Sequence, residues 1–195
     1  MSFFDDPKKA GLAFMILGIL QIIGGIALII LGVIDDDYKL ATAAVLGIGQ
    51  IIVGAIMFGY GQKVRGGAIS KKIDILAEFV KITGVVTIIN GIFGAIAVAL
   101  GDGGIGTAIV SAIISIIIGL IIIFIGSRIN DGKQDLGDKI IWIILLVLFV
   151  LALIGSVIGL LDFILGTIEN ICNIFIYIFM LCLLFDGEVK KEMGM

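Results

Sequence analysis

Long apolar runs separated by short polar breaks dominate the chain. A bilayer core asks for about 20 consecutive apolar residues per helix. Six stretches meet that requirement, at 10–34, 41–61, 80–100, 105–127, 139–161 and 164–185. They predict an all-α polytopic membrane protein, a single membrane domain over residues 1–195 with six transmembrane helices. The first run meets Asp35-Asp36-Asp37 with no A-x-A-like cleavage site before it, so it reads as a span and not as a cleavable signal. Residues Ala68 to Lys81 behave differently. They mix Lys71, Lys72, Asp74, Glu78 and Lys81 with Ile73, Leu76, Ala77 and Val80. Two readings stay open there. One is an amphipathic helix at the cytoplasmic interface, its lysines on anionic headgroups. The other is a solvated extension of the third span.

Composition agrees with the pattern. Of the residues, 61% are hydrophobic and 15% charged, and the mean hydropathy is +1.29. A soluble domain carries about 25% charged residues, and a disordered chain could not be so apolar. An even number of spans puts both termini on one side of the bilayer. Of 13 Lys and Arg, only Lys39 falls in an outer connection, leaving 13 − 1 = 12 on the terminus side. The positive-inside rule then predicts cytoplasmic termini in a cell membrane. Trp142 and Tyr60 are expected at the inner interface and Tyr38 at the outer one, as parts of an aromatic belt.

The same inventory removes several chemistries. There is no histidine, the commonest metal ligand and the side chain most used for proton transfer near neutral pH. Cys172 and Cys182 lie ten residues apart on one predicted helix, about 15 Å along its axis and too far for a disulfide. A net charge of −3 offers no nucleic-acid footprint. Isoleucine-rich, arginine-poor usage points to an AT-rich prokaryotic source.

The spans repeat. Span 1 aligns with span 3 at an offset of 66, from Gly18 to Gly84 through Gly25 to Gly91. Span 2 aligns with span 4 at an offset of 65, from Gly54 to Gly119 through Gly67 to Gly132. The unit is a helical hairpin, predicting three hairpin repeats at about 10–67, 68–132 and 133–190. Because each unit has two spans, the repeats enter the membrane in one direction, as parallel repeats.

Within the spans glycine recurs every seven residues: Gly11, Gly18, Gly25 and Gly32, then Gly47, Gly54 and Gly61, then Gly84 and Gly91, then Gly119 and Gly126 after Ala112. A seven-residue period keeps them on one stripe. Lipid gives no hydrophobic drive between helices, so small residues that admit close backbone approach do the packing. The stripe therefore predicts a helix-packing seam, a glycine zipper. Gln21, Gln50, Thr87 and Ser115 each lie three residues after one small residue and four before the next. With Asn90 they define either interhelical hydrogen bonds or a polar path through the bundle. All are neutral, so none could carry a proton by titrating. In span 5, Gly155 and Gly159 form a GxxxG, which fits packing inside the bundle or against another copy.

Other candidate sites are few. Glu169 shares a helix face with Asn173. A carboxylate at membrane depth is an ion or proton site by default, yet this one lies within reach of the outer headgroups, where it would cap the interface. Asp35-Asp36-Asp37-Tyr38 could hold a divalent cation but reads more simply as a solvated turn. Gly101-Asp102-Gly103-Gly104 has no following lysine and reads as a turn. No nucleophile–base pair is visible, so no catalytic residue, cofactor or metal is predicted.

The runs Leu17-Gly18-Ile19-Leu20-Gln21-Ile22-Ile23-Gly24-Gly25 and Leu46-Gly47-Ile48-Gly49-Gln50-Ile51-Ile52-Val53-Gly54, on a six-span plan, resemble the HdeD-type family of bacterial and archaeal membrane proteins. The likeness covers spans 1 to 4 in sequence and spans 5 and 6 in topology. Members often carry a proline in the outer turn; here the sole proline is Pro7. The resemblance implies a stress-related, acid-resistance-like role and no catalytic residues. The expectation is a non-enzymatic packing or interaction bundle in contact with membrane lipid, which self-associates as a homo-oligomer or joins a membrane complex. A small channel or small-solute carrier is the alternative.

Overall fold

The computed structural model describes residues 6–34, 39–101, 104–132, 136–161 and 164–195, with the side chains of 161–169 outside the description. Among the described residues there is helix and turn and no strand. The helices are α1 (Pro7–Ile34), α2 (Leu40–Arg65), α3 (Lys72–Leu100), α4 (Ile105–Ile129), α5 (Leu136–Ile158), α6 (Ile164–Phe185) and the short α7 (Gly187–Glu192), with a 3-10 turn at Gly159–Leu161 after α5. Helices α1 to α5 are each long and apolar enough to cross a membrane, and Asn170–Phe185 of α6 is a shorter apolar segment. At 1.5 Å per residue, the 28 residues of α1 extend about 42 Å, more than a hydrocarbon core of about 30 Å.

Local chemistry sets the boundaries. Pro7 opens α1 at a position where its missing N–H costs nothing, and Asp6 accepts from the Lys8 N–H at 2.9 Å. Gly67 and Gly132 lie just past the ends of α2 and α4 and take the same left-handed φ of 75°, which glycine adopts without a Cβ penalty. The Gly67 N–H closes the turn on the Val64 carbonyl. Asp186 caps α7, its carboxylate accepting from the Glu188 N–H at 3.0 Å.

The stretch before the third apolar run is part of α3 itself. One uninterrupted helix begins at Lys72, and Ile73, Ile75, Leu76, Ala77, Phe79 and Val80 of its first turns are buried. No separate interfacial helix precedes it. The apolar residues of this stretch cover the protein's own core and not a lipid surface.

The chain forms two compact units that cut across the hairpins. The first takes residues 1–17, 58–80 and 125–195; the second takes 18–57 and 81–124. The first unit has an aromatic centre. Phe14 and Tyr60 meet edge-on at 4.8 Å between centroids. Phe79 packs on Phe14 at 5.5 Å and on Phe149 at 6.0 Å, and Tyr177 closes the cluster on Phe149 at 6.5 Å. Such pairs add about 0.5–1.5 kcal/mol each beyond the area they bury. In the second unit the centre is glycine and small side chains.

The aromatic belt expected at Tyr60 and Trp142 is not there. Tyr60 is 1% exposed and Trp142 8%. The Tyr60 hydroxyl donates to the Ile75 carbonyl at 2.7 Å, and the Trp142 indole N–H donates to the Leu184 carbonyl at 2.9 Å. Both rings have turned inward because each polar tip finds a backbone acceptor in the protein. Tyr38, the third belt residue, lies outside the described residues, as do Asp35, Asp36 and Asp37.

Candidate functional site

The stripe glycines face the neighbouring helix. In the first unit, a Cβ added at Gly11 would lie 2.6 Å from the Arg65 amide nitrogen, and one at Gly61 would lie 2.6 Å from the Gly11 carbonyl oxygen. In the second unit, Gly25 and Gly47 stand opposite each other, each with the other's carbonyl oxygen 2.5 Å from its Cβ position. Gly54 meets the Gly18 carbonyl at 2.6 Å, Gly84 meets the Gly119 carbonyl at 2.6 Å, and Gly32 meets the Ala43 methyl at 2.6 Å. These separations are too short for real side-chain atoms, so α1 with α2 and α3 with α4 touch backbone to backbone. Gly18, Gly119 and Gly126 are themselves buried. At Gly91 the opposing group is the Ser115 side chain.

The polar residues proposed for a path all fall in the second unit, but they do different things. Ser115 fills the gap in front of Gly91. Thr87 donates its hydroxyl to the Thr83 carbonyl one turn back, at 2.8 Å, the usual way for a hydroxyl to satisfy itself within a helix. The Gln50 amide lies 3.6 Å from the Cβ position of Gly24. Gln21 Oε1 is buried with no hydrogen-bond partner among the described residues, as is Thr42 Oγ1. Asn90 is exposed. A shallow groove of about 510 Å³ runs along α4 beside Thr107, Ser111 and Ser115.

The two glycines of the GxxxG do not act together. Among the described residues Gly155 has no atom within 4 Å of its Cβ position, whereas that of Gly159 lies 2.6 Å from the Asn170 amide nitrogen. Asn170 donates to the Gly159 carbonyl at 2.7 Å, which ties α6 to the turn after α5. Ser156, between them, back-bonds to the Ala152 carbonyl at 3.0 Å. Asn173 is half-buried on α6, and the Glu169 side chain lies outside the description. No disulfide joins Cys172 to Cys182.

The first unit holds a charged cluster that the sequence did not single out. Lys72 pairs with Asp186 at 2.5 Å, and the Asn130 amide donates to Asp74 at 3.1 Å. Arg128 pairs with Asp131 at 2.7 Å and reaches Asp138 at 3.7 Å. Asp138 is only 2% exposed, held at the start of α5, where a negative charge suits the helix dipole. The Lys72 hydrogen bond holds the Asp186 carboxyl below its ordinary value of 3.8. Lys190 lies 5.7 Å over the Trp142 ring. A cleft of about 600 Å³ opens among Lys63, Ser70, Lys71, Asp74, Glu78 and Asn130. It sets Lys63 and Lys71 beside Asp74 and Glu78. Among the described residues no group of three or more metal-ligating side chains comes together.

The geometry defines a class, a multi-pass helical membrane protein in which glycines of paired helices stand in close contact. No family model, curated protein or solved structure matches the chain.

Proposed function

We propose that the chain is a non-enzymatic interaction protein of the prokaryotic cell membrane, which self-associates or joins a larger membrane assembly in contact with lipid. In this reading it has six spans as three parallel hairpin repeats, cytoplasmic termini and a stress-related role of the HdeD type. The observation that carries it is the backbone contact of α1 with α2 and of α3 with α4. A seam in which glycines exclude even a methyl group leaves no room for a lumen or a bound solute between those helices. The repeat reading draws support from matched contacts, Gly54 on Gly18 and Gly84 on Gly119, and from the shared φ at Gly67 and Gly132. The test is the mass of the full chain extracted from native membranes in a lipid-retaining polymer. An oligomer or a defined complex is expected, and a lone monomer with no co-purifying protein refutes the reading.

A second reading, a small-solute channel or carrier, is favoured by Gln21 Oε1 and Thr42 Oγ1, buried oxygens that no group among the described residues satisfies. Liposome flux distinguishes it. Transport that falls when Gln21 and Gln50 become leucine supports the path, and no flux, or flux untouched by those changes, refutes it.

A further inference from the structure

Hydrocarbon cannot hydrogen-bond, so a polar side chain in a span must be satisfied by its own helix, by a neighbour or by water. Two hydroxyls manage it alone: Thr87 and Ser156 each donate one turn back. An amide has two donors and two lone pairs, more than one turn of helix can serve. Most amides in the apolar segments are covered. Gln50 lies against Gly24, Gln21 is half-buried, as is Asn173, and Asn170 bonds the Gly159 carbonyl. Asn90 is the exception. It lies 18 residues into the 29-residue α3, on its exposed surface. One turn on, Gly94 has no atom of the described residues within 4 Å of its Cβ position. An amide thus stands beside a backbone that another helix can approach closely.

We infer that this flank of α3, centred on Asn90 and Gly94, is the contact between two copies of the chain, related by a two-fold axis along the membrane normal. The inference rests on the self-association reading above and names its surface. Two copies in one bilayer share a topology, so Asn90 of one stands at the same depth as Asn90 of the other. The carboxamide is donor and acceptor at once, hence complementary to itself, and two such groups satisfy each other across the axis. Any other partner would need a polar group of its own at that depth. The two-fold contact is isologous and closes at two copies.

The test uses the full chain in membranes, with Cys172 and Cys182 replaced by alanine and Gly94→Cys as the probe, which leaves Asn90 in place. Oxidation is expected to give a disulfide-linked dimer. Ile92→Cys, exposed on the opposite side of α3, is expected to give none. Adding Asn90→Leu is expected to reduce the Gly94→Cys product and to weaken dimerisation about eightfold in a lipid-dilution titration, what two interhelical hydrogen bonds of ordinary strength supply. Asn90→Gln, which keeps the amide, is expected to retain the dimer. Cross-linking at Ile92→Cys as strong as at Gly94→Cys, or a dimer indifferent to Asn90→Leu, overturns the inference while leaving self-association intact. A chain monomeric at every dilution overturns both. Labelling of the Gly94→Cys thiol by a membrane-impermeant reagent without cross-linking overturns it in favour of a water-filled face.

Discussion

Replacing Gly54 with alanine measures the backbone contact most directly. The new methyl carbon would lie 2.6 Å from the Gly18 carbonyl oxygen, 2.8 Å from Ile22 Cγ1 and 2.9 Å from the Ile22 amide nitrogen. An ordinary contact begins near 3.4 Å, so α1 and α2 must separate by 3.4 − 2.6 = 0.8 Å at that level. A radial gap of about 0.5–1 Å already forfeits a quarter to a half of a dispersion contact, and overpacking of this kind costs about 1–3 kcal/mol. Alanine also favours the helix over glycine by up to about 1 kcal/mol, which would mask part of the loss. Gly59 on the same helix supplies the reference, because no atom of the described residues lies within 4 Å of its Cβ position. Gly59→Ala gains the same propensity and meets no clash, so propensity cancels between the two variants. Reversible unfolding in mixed micelles is expected to place Gly54→Ala about 1–3 kcal/mol below Gly59→Ala. Two variants agreeing within about 0.5 kcal/mol, the scatter of unremarkable substitutions, would refute the contact and the reasoning built on it.

Three further outcomes follow from the polar groups. Trp142→Phe removes the donor to the Leu184 carbonyl, one of the last acceptors of α6 and without a helical partner; a loss of about 1–3 kcal/mol is expected in the same unfolding assay. Gln21→Leu removes a buried acceptor that has no donor among the described residues, so it is expected to raise stability in that assay; a loss instead would mean that Oε1 is satisfied by a bound water or solute. The Asp186 carboxyl is held below its ordinary 3.8 by Lys72, so the ion pair's contribution is complete above 3.8 and disappears as pH falls through the lowered folded value. Asp186→Asn keeps the cap on Glu188 and loses the charge. Its stability is expected to fall less steeply than the parent's in acid titrations below pH 3.8, and parallel curves would refute the pairing.

The sequence carried the helices further than it carried their surroundings. Apolar runs separated by Asp, Lys and Gly are a strong signal, and α1, α2, α4 and α5 lie within a few residues of where those runs predict them, while α3 begins eight residues before its run. The glycine stripe was legible because a seven-residue period fixes a face whatever the neighbours are. Tyr60 and Trp142 were misplaced for the complementary reason. An aromatic residue near the end of a span suits an interface or a core equally, and the choice depends on an acceptor contributed by a distant element, Ile75 or Leu184. The stretch from 68 to 81 was ambiguous because its apolar positions fit either a lipid surface or a core. Asp138 gave no sign of its burial, since an acidic residue in a first helical turn is ordinary at any surface, and only the fold brings Arg128 to it. Asn90 was visible as a polar residue in an apolar run, but its exposure is a property of what packs around α3.

The backbone contact of α1 with α2 also bears on how such a chain is made. Neither helix has a side-chain ridge along its glycine stripe, so in lipid alone that stripe is a furrow filled by acyl tails. The furrow closes only when the antiparallel neighbour arrives, and Gly18 has to wait for Gly54, 36 residues later in synthesis. The natural quantum of insertion is thus the pair of helices with its turn. A deletion that removes one helix leaves the other grooved and seeking a substitute, whereas a deletion of both leaves no such orphan behind.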